Sequence, residues 1–445
     1  MSPSPPSDGR LVGRRVGLVM LVMVMASNVA NYAFQILAGR WLSVEEYGLL
    51  ASFMAALTII AVSATALQTT AARAIAAGEN QPSHSLFNDH LIRSSVLYAL
   101  VLGSLIALSV PVSGRFINIG SLPIFFLGLY VVPAALDSLA AGRLQGSKRF
   151  VALATYGLGQ SLGKLSVTLL VLVLGYHVVG IVGALVLSST SVALAGLIAT
   201  RRLGAIQTHV FSPEVRRNFA AVFAFWVLIS IDVAFARAFF DPEDAGIYAA
   251  AAVLGKAVLL LPAVLIQVVF PHLTEQFTHG RRVVRVVGRA LALTLCLTVG
   301  ATLALFLLGG PLITHLYSER YQAAAPICWM VGAAMIPFAV VNLLLYHFLA
   351  RRQARFLFAM AAAVIAEITA FTLVPKTGPA YALTLGLVGM GLLVAVFPKT
   401  NPKRHLREVF GRALRHEGAQ GAGRATSSPS STSAPHISHS RGSHR

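Results

Sequence analysis

The chain has 445 residues, of which 56% are hydrophobic and 11% charged, whereas soluble domains carry roughly 25% charged residues. Repeated apolar stretches of about 20 residues exclude a soluble globular domain and describe a polytopic membrane protein. The formal net charge of +19 does not indicate nucleic acid, because the basic residues sit in short loops and in the tail.

Residues 1–15 open the chain as a cytoplasmic segment whose Pro/Ser-rich start is read as disordered. Val16–Ala38 is longer than a signal h-region and ends without a small-residue cleavage pattern, so it is expected to stay as a first helix. In Leu42–Ala51, Ser43 and Glu46 form a capping-box pattern before a long apolar run. The same device returns at Phe239–Pro271. There Asp241 is placed to cap, Pro242 fits the first helical position, and Glu243 and Asp244 sit at the positive end of the helix dipole. An apolar run from Ala245 to Phe270 follows. Setting Gly48 against Gly246, 198 residues apart, aligns Glu45 with Glu243, Glu46 with Asp244 and Ser43 with Asp241. Internal similarity of this kind suggests a transporter built from two related halves.

Twelve spans are expected at 16–38, 47–72, 91–111, 122–142, 152–174, 180–200, 218–239, 246–270, 288–308, 324–347, 357–374 and 380–397. One set of loops and ends carries 28 of the 35 Lys and Arg residues, and the other carries five, namely Arg40, Arg115, Arg237, Arg320 and Lys376. The positive-inside rule therefore puts both termini in the cytoplasm, as an even helix count requires. The fold class is all-α: two pseudo-symmetric six-helix bundles at 16–200 and 218–397, a cytoplasmic loop at 201–217, and a basic low-complexity cytoplasmic tail at 398–445. The tail histidines (His436, His439, His444) read as low complexity rather than a metal site, and Cys296 and Cys328 have neither disulfide nor metal spacing. No cofactor is expected. No loop is long enough to fold as a catalytic domain, so any binding happens among the helices.

An ionisable side chain at bilayer depth is costly and usually faces a protein interior or a wet cavity. Asp137, Lys164, Asp232, Lys256 and Glu367 fall at such depth. Asp232 and Lys256 match in depth on consecutive antiparallel helices, so a direct ion pair is one reading. The other is that Lys164 and Lys256 line a central cavity and attract an anionic group, with Asp232, Glu367 and Asp137 as pairing or coupling groups. Lysine suits phosphate as a flexible point charge. Asn28, Asn31 and Gln35, three and four residues apart, share one helix face. They serve either interhelical hydrogen bonds or a hydrophilic wall that meets sugar hydroxyls. Pro133, Pro262 and Pro337 interrupt helices, as packing features or as hinges.

RWLSVEEYGLLAS, FFDPEDAGIYAAAAVLGKAVLLLPAVLIQVVFPHLTE and LITHLYSERYQAAAP together resemble the oligosaccharide flippases of the polysaccharide-transporter branch of the multidrug/oligosaccharidyl-lipid/polysaccharide exporter superfamily. The resemblance covers roughly residues 11–400. It implies two six-helix bundles around a central cavity, working by alternating access in the cell membrane. It also implies a lipid-linked oligosaccharide as substrate, usually undecaprenyl diphosphate-linked, for surface polysaccharide export. A polysaccharide polymerase or glycosyltransferases are the further partners it suggests. On this reading Lys164, Lys256, Asn28, Asn31 and Gln35 meet the substrate.

The first helix lacks an acidic residue of the kind cation-coupled drug exporters of this superfamily often carry, which weighs against a multidrug exporter. That exporter, with Asp232 or Glu367 holding the coupling ion, remains the alternative. The two extra helices of the peptidoglycan-precursor branch are also absent from the expected set. A membrane glycosyltransferase using Glu45 and Glu46 is disfavoured, because capping already explains both carboxylates and no large external loop is present. The protein is expected to be a transporter, not an enzyme.

Overall fold

The computed structural model describes residues 7–78, 80–81, 89–110, 121–203, 205–206, 213–259, 262, 280–350 and 354–396. Its helices are α1 (Ser7–Trp41), α2 (Val44–Ala76), α3 (His90–Leu108), α4 (Ser121–Gly146), α5 (Phe150–Val173), α6 (Val178–Thr200), α7 (Pro213–Leu228), α8 (Ile231–Phe239), α9 (Pro242–Lys256), α10 (Gly280–Leu316), α11 (Ala325–Ala350), α12 (Ala354–Leu373) and α13 (Gly378–Val396). Among the described residues ten helices are long and apolar enough to cross a membrane, and α7 with α8 makes an eleventh span bent by 43°. Twelve were expected, and most of the stretch expected to supply the remaining span lies outside the described residues. Within the run 246–270 the described helix reaches Lys256, followed by a 3-10 turn at Ala257–Leu259. Its remainder lies almost wholly outside the described residues, as do Pro271 and the tail.

The helix starts follow the local chemistry with one exception. Ser43 Oγ accepts from the Glu46 N–H at 3.1 Å, and Glu46 Oε2 accepts from the Ser43 N–H at 3.2 Å, so the capping box closes. Asp241 has the extended backbone of an N-cap, but its side chain makes no capping hydrogen bond. Pro242 has no N–H to satisfy, and Glu243 and Asp244 supply the negative charge of the first turn, so α9 starts without it. The expected single helix 218–239 breaks at Ile229–Ser230 instead. The break turns Asp232 inward, where it is fully buried.

In the first half α1 lies along α5, while α4 is covered by α2, α3 and α6. In the second half α11 is central, flanked by α9, α10 and α13, and α12 rests on α13 and α7. Helix α2 joins the halves, packing on α7, α8 and α9. Its first turn crosses that of α9 backbone to backbone. A Cβ on Gly246 would lie 1.9 Å from Val44 O, and one on Gly48 would lie 2.8 Å from Gly246 N. Beside them Tyr47, Tyr317 and Tyr321 form an aromatic cluster with ring centroids 5.4 to 5.8 Å apart. Arg40 donates to His315 O at 2.9 Å, and Arg320 donates to Arg40 O at 3.1 Å. The two halves are therefore in close contact at this end, which the charge bias expects to face outward.

The opposite end of the first half is tied by Asp89. Its Oδ1 caps α3 by accepting from the Ile92 N–H at 2.9 Å, and its Oδ2 accepts from the Ile206 N–H at 3.0 Å. The same Oδ2 pairs with Arg143 of α4, and both side chains are 1% exposed. A short antiparallel pairing of β1 (Asn80–Gln81) with β2 (Ala205–Ile206) joins the loops beside it. Apolar side chains on the outer faces of the helices, such as Leu97 and Leu105 on α3 and Leu303 and Leu307 on α10, are exposed, as a lipid environment requires.

Candidate functional site

Two polar centres lie within the apolar helices. The first is a partly open cavity of about 370 Å³ in the first half, bordered by α1, α2, α4, α5 and α6. Tyr156, Gln160 and Lys164 stand four residues apart on α5, so they share one face and rise about 6 Å per step. All three line the cavity. On α1, Ser27 and Asn31 have the same spacing and meet that face. Ser27 Oγ is 2.6 Å from Ser161 Oγ, and Asn31 Nδ2 donates to Ser161 Oγ at 2.9 Å.

Lys164 Nζ donates to Asn31 Oδ1 and lies 4.8 Å from the centre of the Phe34 ring. No carboxylate pairs with it among the described residues. Asp137 of α4 borders the same cavity, yet its Oδ1 is taken by Tyr156 Oη at 2.5 Å and by Gln160 Nε2. The cavity thus holds a cation and an anion that are each bound by neutral groups rather than by each other.

The second centre is in the second half. Asp232, at the start of α8, accepts from Tyr248 Oη at 2.9 Å and from Lys256 Nζ at 2.6 Å. Tyr248 and Lys256 lie two turns apart on α9, so one helix face supplies both donors. Glu367 of α12 is fully buried, and neither of its carboxyl oxygens has a hydrogen-bond partner among the described residues. It lies within electrostatic reach of Asp232 and Lys256.

The structure therefore brings Lys164, Asn31 and Asp137 together, and separately Asp232, Lys256 and Glu367. Lys164 lines the first-half cavity, whereas Lys256 is outside that lining and is held by Asp232 in the second half, the ion pair that was one of the two readings of the sequence. Asn28 is half-buried away from the cavity lining. Gln35 also stands outside that lining, with a buried Oε1 that has no partner among the described residues. Sequence reasoning passed over Tyr156, Ser161 and Tyr248. The spacing of four that joins Tyr156 and Gln160 to Lys164 was available as a signal. Among the described residues no group of three or more His, Cys, Asp or Glu is placed to hold a metal.

A sequence model of the family described as polysaccharide biosynthesis protein matches residues 14–277. Among solved structures, lipid II flippase MurJ in an inward closed conformation is similar with a TM-score of 0.67 at 14% identity, over 85% of this chain and 86% of that one. An inward-facing multidrug resistance MATE family transporter of the MOP superfamily gives a TM-score of 0.64 at 14% identity, over 86% and 96%. A eukaryotic MATE transporter gives 0.58 at 14% identity, over 89% and 97%. A search of curated protein sequences found no match. At these identities the likeness to solved structures establishes a shared fold.

Proposed function

The chain belongs to the polysaccharide biosynthesis protein family, and from that premise we propose that it is a flippase of lipid-diphosphate-linked oligosaccharides in the cytoplasmic membrane. The observation that carries this reading is Lys164, a cation in a polar intramembrane cavity with no counter-ion among the described residues. A diphosphate is the most costly part of such a substrate to bring into the bilayer, and an unpaired cation offsets that cost. Asn31 orients the ammonium, and the prenyl chain stays in lipid. The halves 16–200 and 218–397 move against each other in alternating access, and Asp232 and Glu367 are the coupling groups.

The test is leaflet assignment of a labelled undecaprenyl-diphosphate oligosaccharide in proteoliposomes. Protein-dependent arrival in the far leaflet is expected, reduced about tenfold or more by Lys164→Ala, in line with removal of a buried charge contact. Lys256→Ala, which leaves Asp232 unpaired, is expected to lower the amount of folded protein before it lowers flipping. Absence of protein-dependent flipping with every donor, in folded protein, would overturn the proposal.

One observation favours a second reading. Glu367 is a buried carboxyl without a hydrogen-bond partner among the described residues, as a cation-coupled exporter of small organic molecules would use. Raised resistance to cationic dyes in a pump-deficient host would support that reading, and unchanged resistance would count against it.

A further inference from the structure

We infer that the Asp137 end of the first-half cavity is a docking subsite for a neutral or amino sugar, and that it turns away acidic sugars. The inference deepens the flippase reading and, for a lipid-linked ligand, rests on it. The carboxylate is fixed before any ligand arrives. Tyr156 Oη at 2.5 Å and Gln160 Nε2 both bind Oδ1. Oδ2 has no protein partner among the described residues, and the residue borders the cavity. Helix α6 lets the Tyr156 ring take this place because residue 196 is glycine; a Cβ there would lie 2.6 Å from the ring.

A carboxylate is acceptor-only. Its free oxygen therefore calls for a hydroxyl, amide or ammonium donor, and repels a second carboxylate. Tyr130 supplies a further aromatic surface, its hydroxyl engaged by Ser189, and Ser188 supplies a hydroxyl on the facing helix. This mixture of apolar faces and convergent donors and acceptors suits a pyranose ring, which has C–H faces and a hydroxyl edge. The volume of about 370 Å³ is near the lower end of small-ligand pockets, roughly 300–1,000 Å³. It accommodates a single sugar unit rather than an oligosaccharide. Lys164 lies one helical turn beyond Gln160, so a phosphate held at Lys164 brings the sugar bonded to it towards Asp137.

The full-length protein in lipid nanodiscs is titrated with methyl β-glucosaminide and methyl β-glucuronide in excess pyrophosphate, which occupies Lys164 and removes its attraction for the glucuronide, read by saturation-transfer NMR. The glucosaminide is expected to bind about tenfold tighter or more, the scale of a buried charge repulsion. Asp137→Asn, close in shape, should bring the two within about twofold by relieving the glucuronide. If that variant fails to fold, Tyr156→Phe decides, and should narrow the ratio about threefold by loosening the carboxylate. Equal binding in the natural protein, no binding of either glycoside, or a preference that survives in folded variants would overturn the inference. A separate arm measures binding of sugar-free undecaprenyl diphosphate, with and without Lys164→Ala. If that lipid does not bind while the glucosaminide does, the flippase reading fails and the sugar subsite stands.

Discussion

Lys164 and Lys256 look alike in the sequence, and their surroundings separate them. Lys256 is neutralised by Asp232, whereas Lys164 is held only by Asn31 and an aromatic face. Matching depth on consecutive helices was enough to suggest the Asp232–Lys256 pair. Nothing in the sequence tied Asp89 to Arg143, which are 54 residues apart and meet only once α3, α4 and the loop at Ile206 have assembled. Removing one member of a buried pair leaves a charge with no compensation, so Arg143→Met should destabilise the protein by about 3–5 kcal/mol. Asp89→Asn keeps a side chain able to cap α3. The double variant Asp89→Asn/Arg143→Met should therefore recover most of the loss, as a double-mutant cycle of denaturant unfolding in detergent would read. At the start of α2, Ser43→Ala removes the capping box and should cost about 1 kcal/mol in the same assay. Glu45 and Glu46 need no catalytic explanation. Glu46 closes that box and lies 2.9 Å from His177 Nδ1, and Glu45 stands 3.9 Å from the guanidinium of Arg237.

Helices α2 and α9 show what the sequence could and could not convey about elements. Both starts were legible, because capping residues, Pro242 and first-turn acids are local signals. The break between α7 and α8 was not, since Ile229, Ser230 and Ile231 fit an apolar helix and only the burial of Asp232 against α9 requires the turn. The crossing of α2 and α9 also depends on three-dimensional context. Gly246→Ala would put a Cβ 1.9 Å from Val44 O, a backbone atom that cannot swing aside as the end of a flexible side chain could. This variant should favour the state in which that end is open. A cysteine placed at the buried Ser52 of α2, in a background without Cys296 and Cys328, should then react faster with a membrane-impermeant maleimide. Gly48→Ala, whose nearest contact is 2.8 Å, should act in the same direction but less strongly.

At the scale of the molecule, composition and the repeated apolar stretches were sufficient for a multi-pass all-helical protein. The described residues supply ten or eleven of the twelve expected spans, because most of the apolar run after Lys256 lies outside them. The site was half legible. Depth identified the ionisable residues, but only packing divides them into two centres, one in each half. That division gives the second centre a testable role of its own. With Glu367→Gln, flipping driven by an imposed proton or sodium gradient should fall to the level seen without a gradient, while exchange at equilibrium continues. Equal gradient dependence in the variant would remove Glu367 from the coupling role.

The glycines that mark the internal repeat, Gly48 and Gly246, are also the glycines that touch. Their meeting is what a two-fold axis relating two copies would produce, as in an isologous dimer. A side chain gained on either copy meets the other copy's backbone and cannot be relieved by repacking within its own half. Each half therefore limits the sequence drift of the other at this point. Any attempt to rebuild the protein from two identical halves, or to exchange halves between homologues, has to preserve this meeting of bare backbones before anything in the cavities can be tuned.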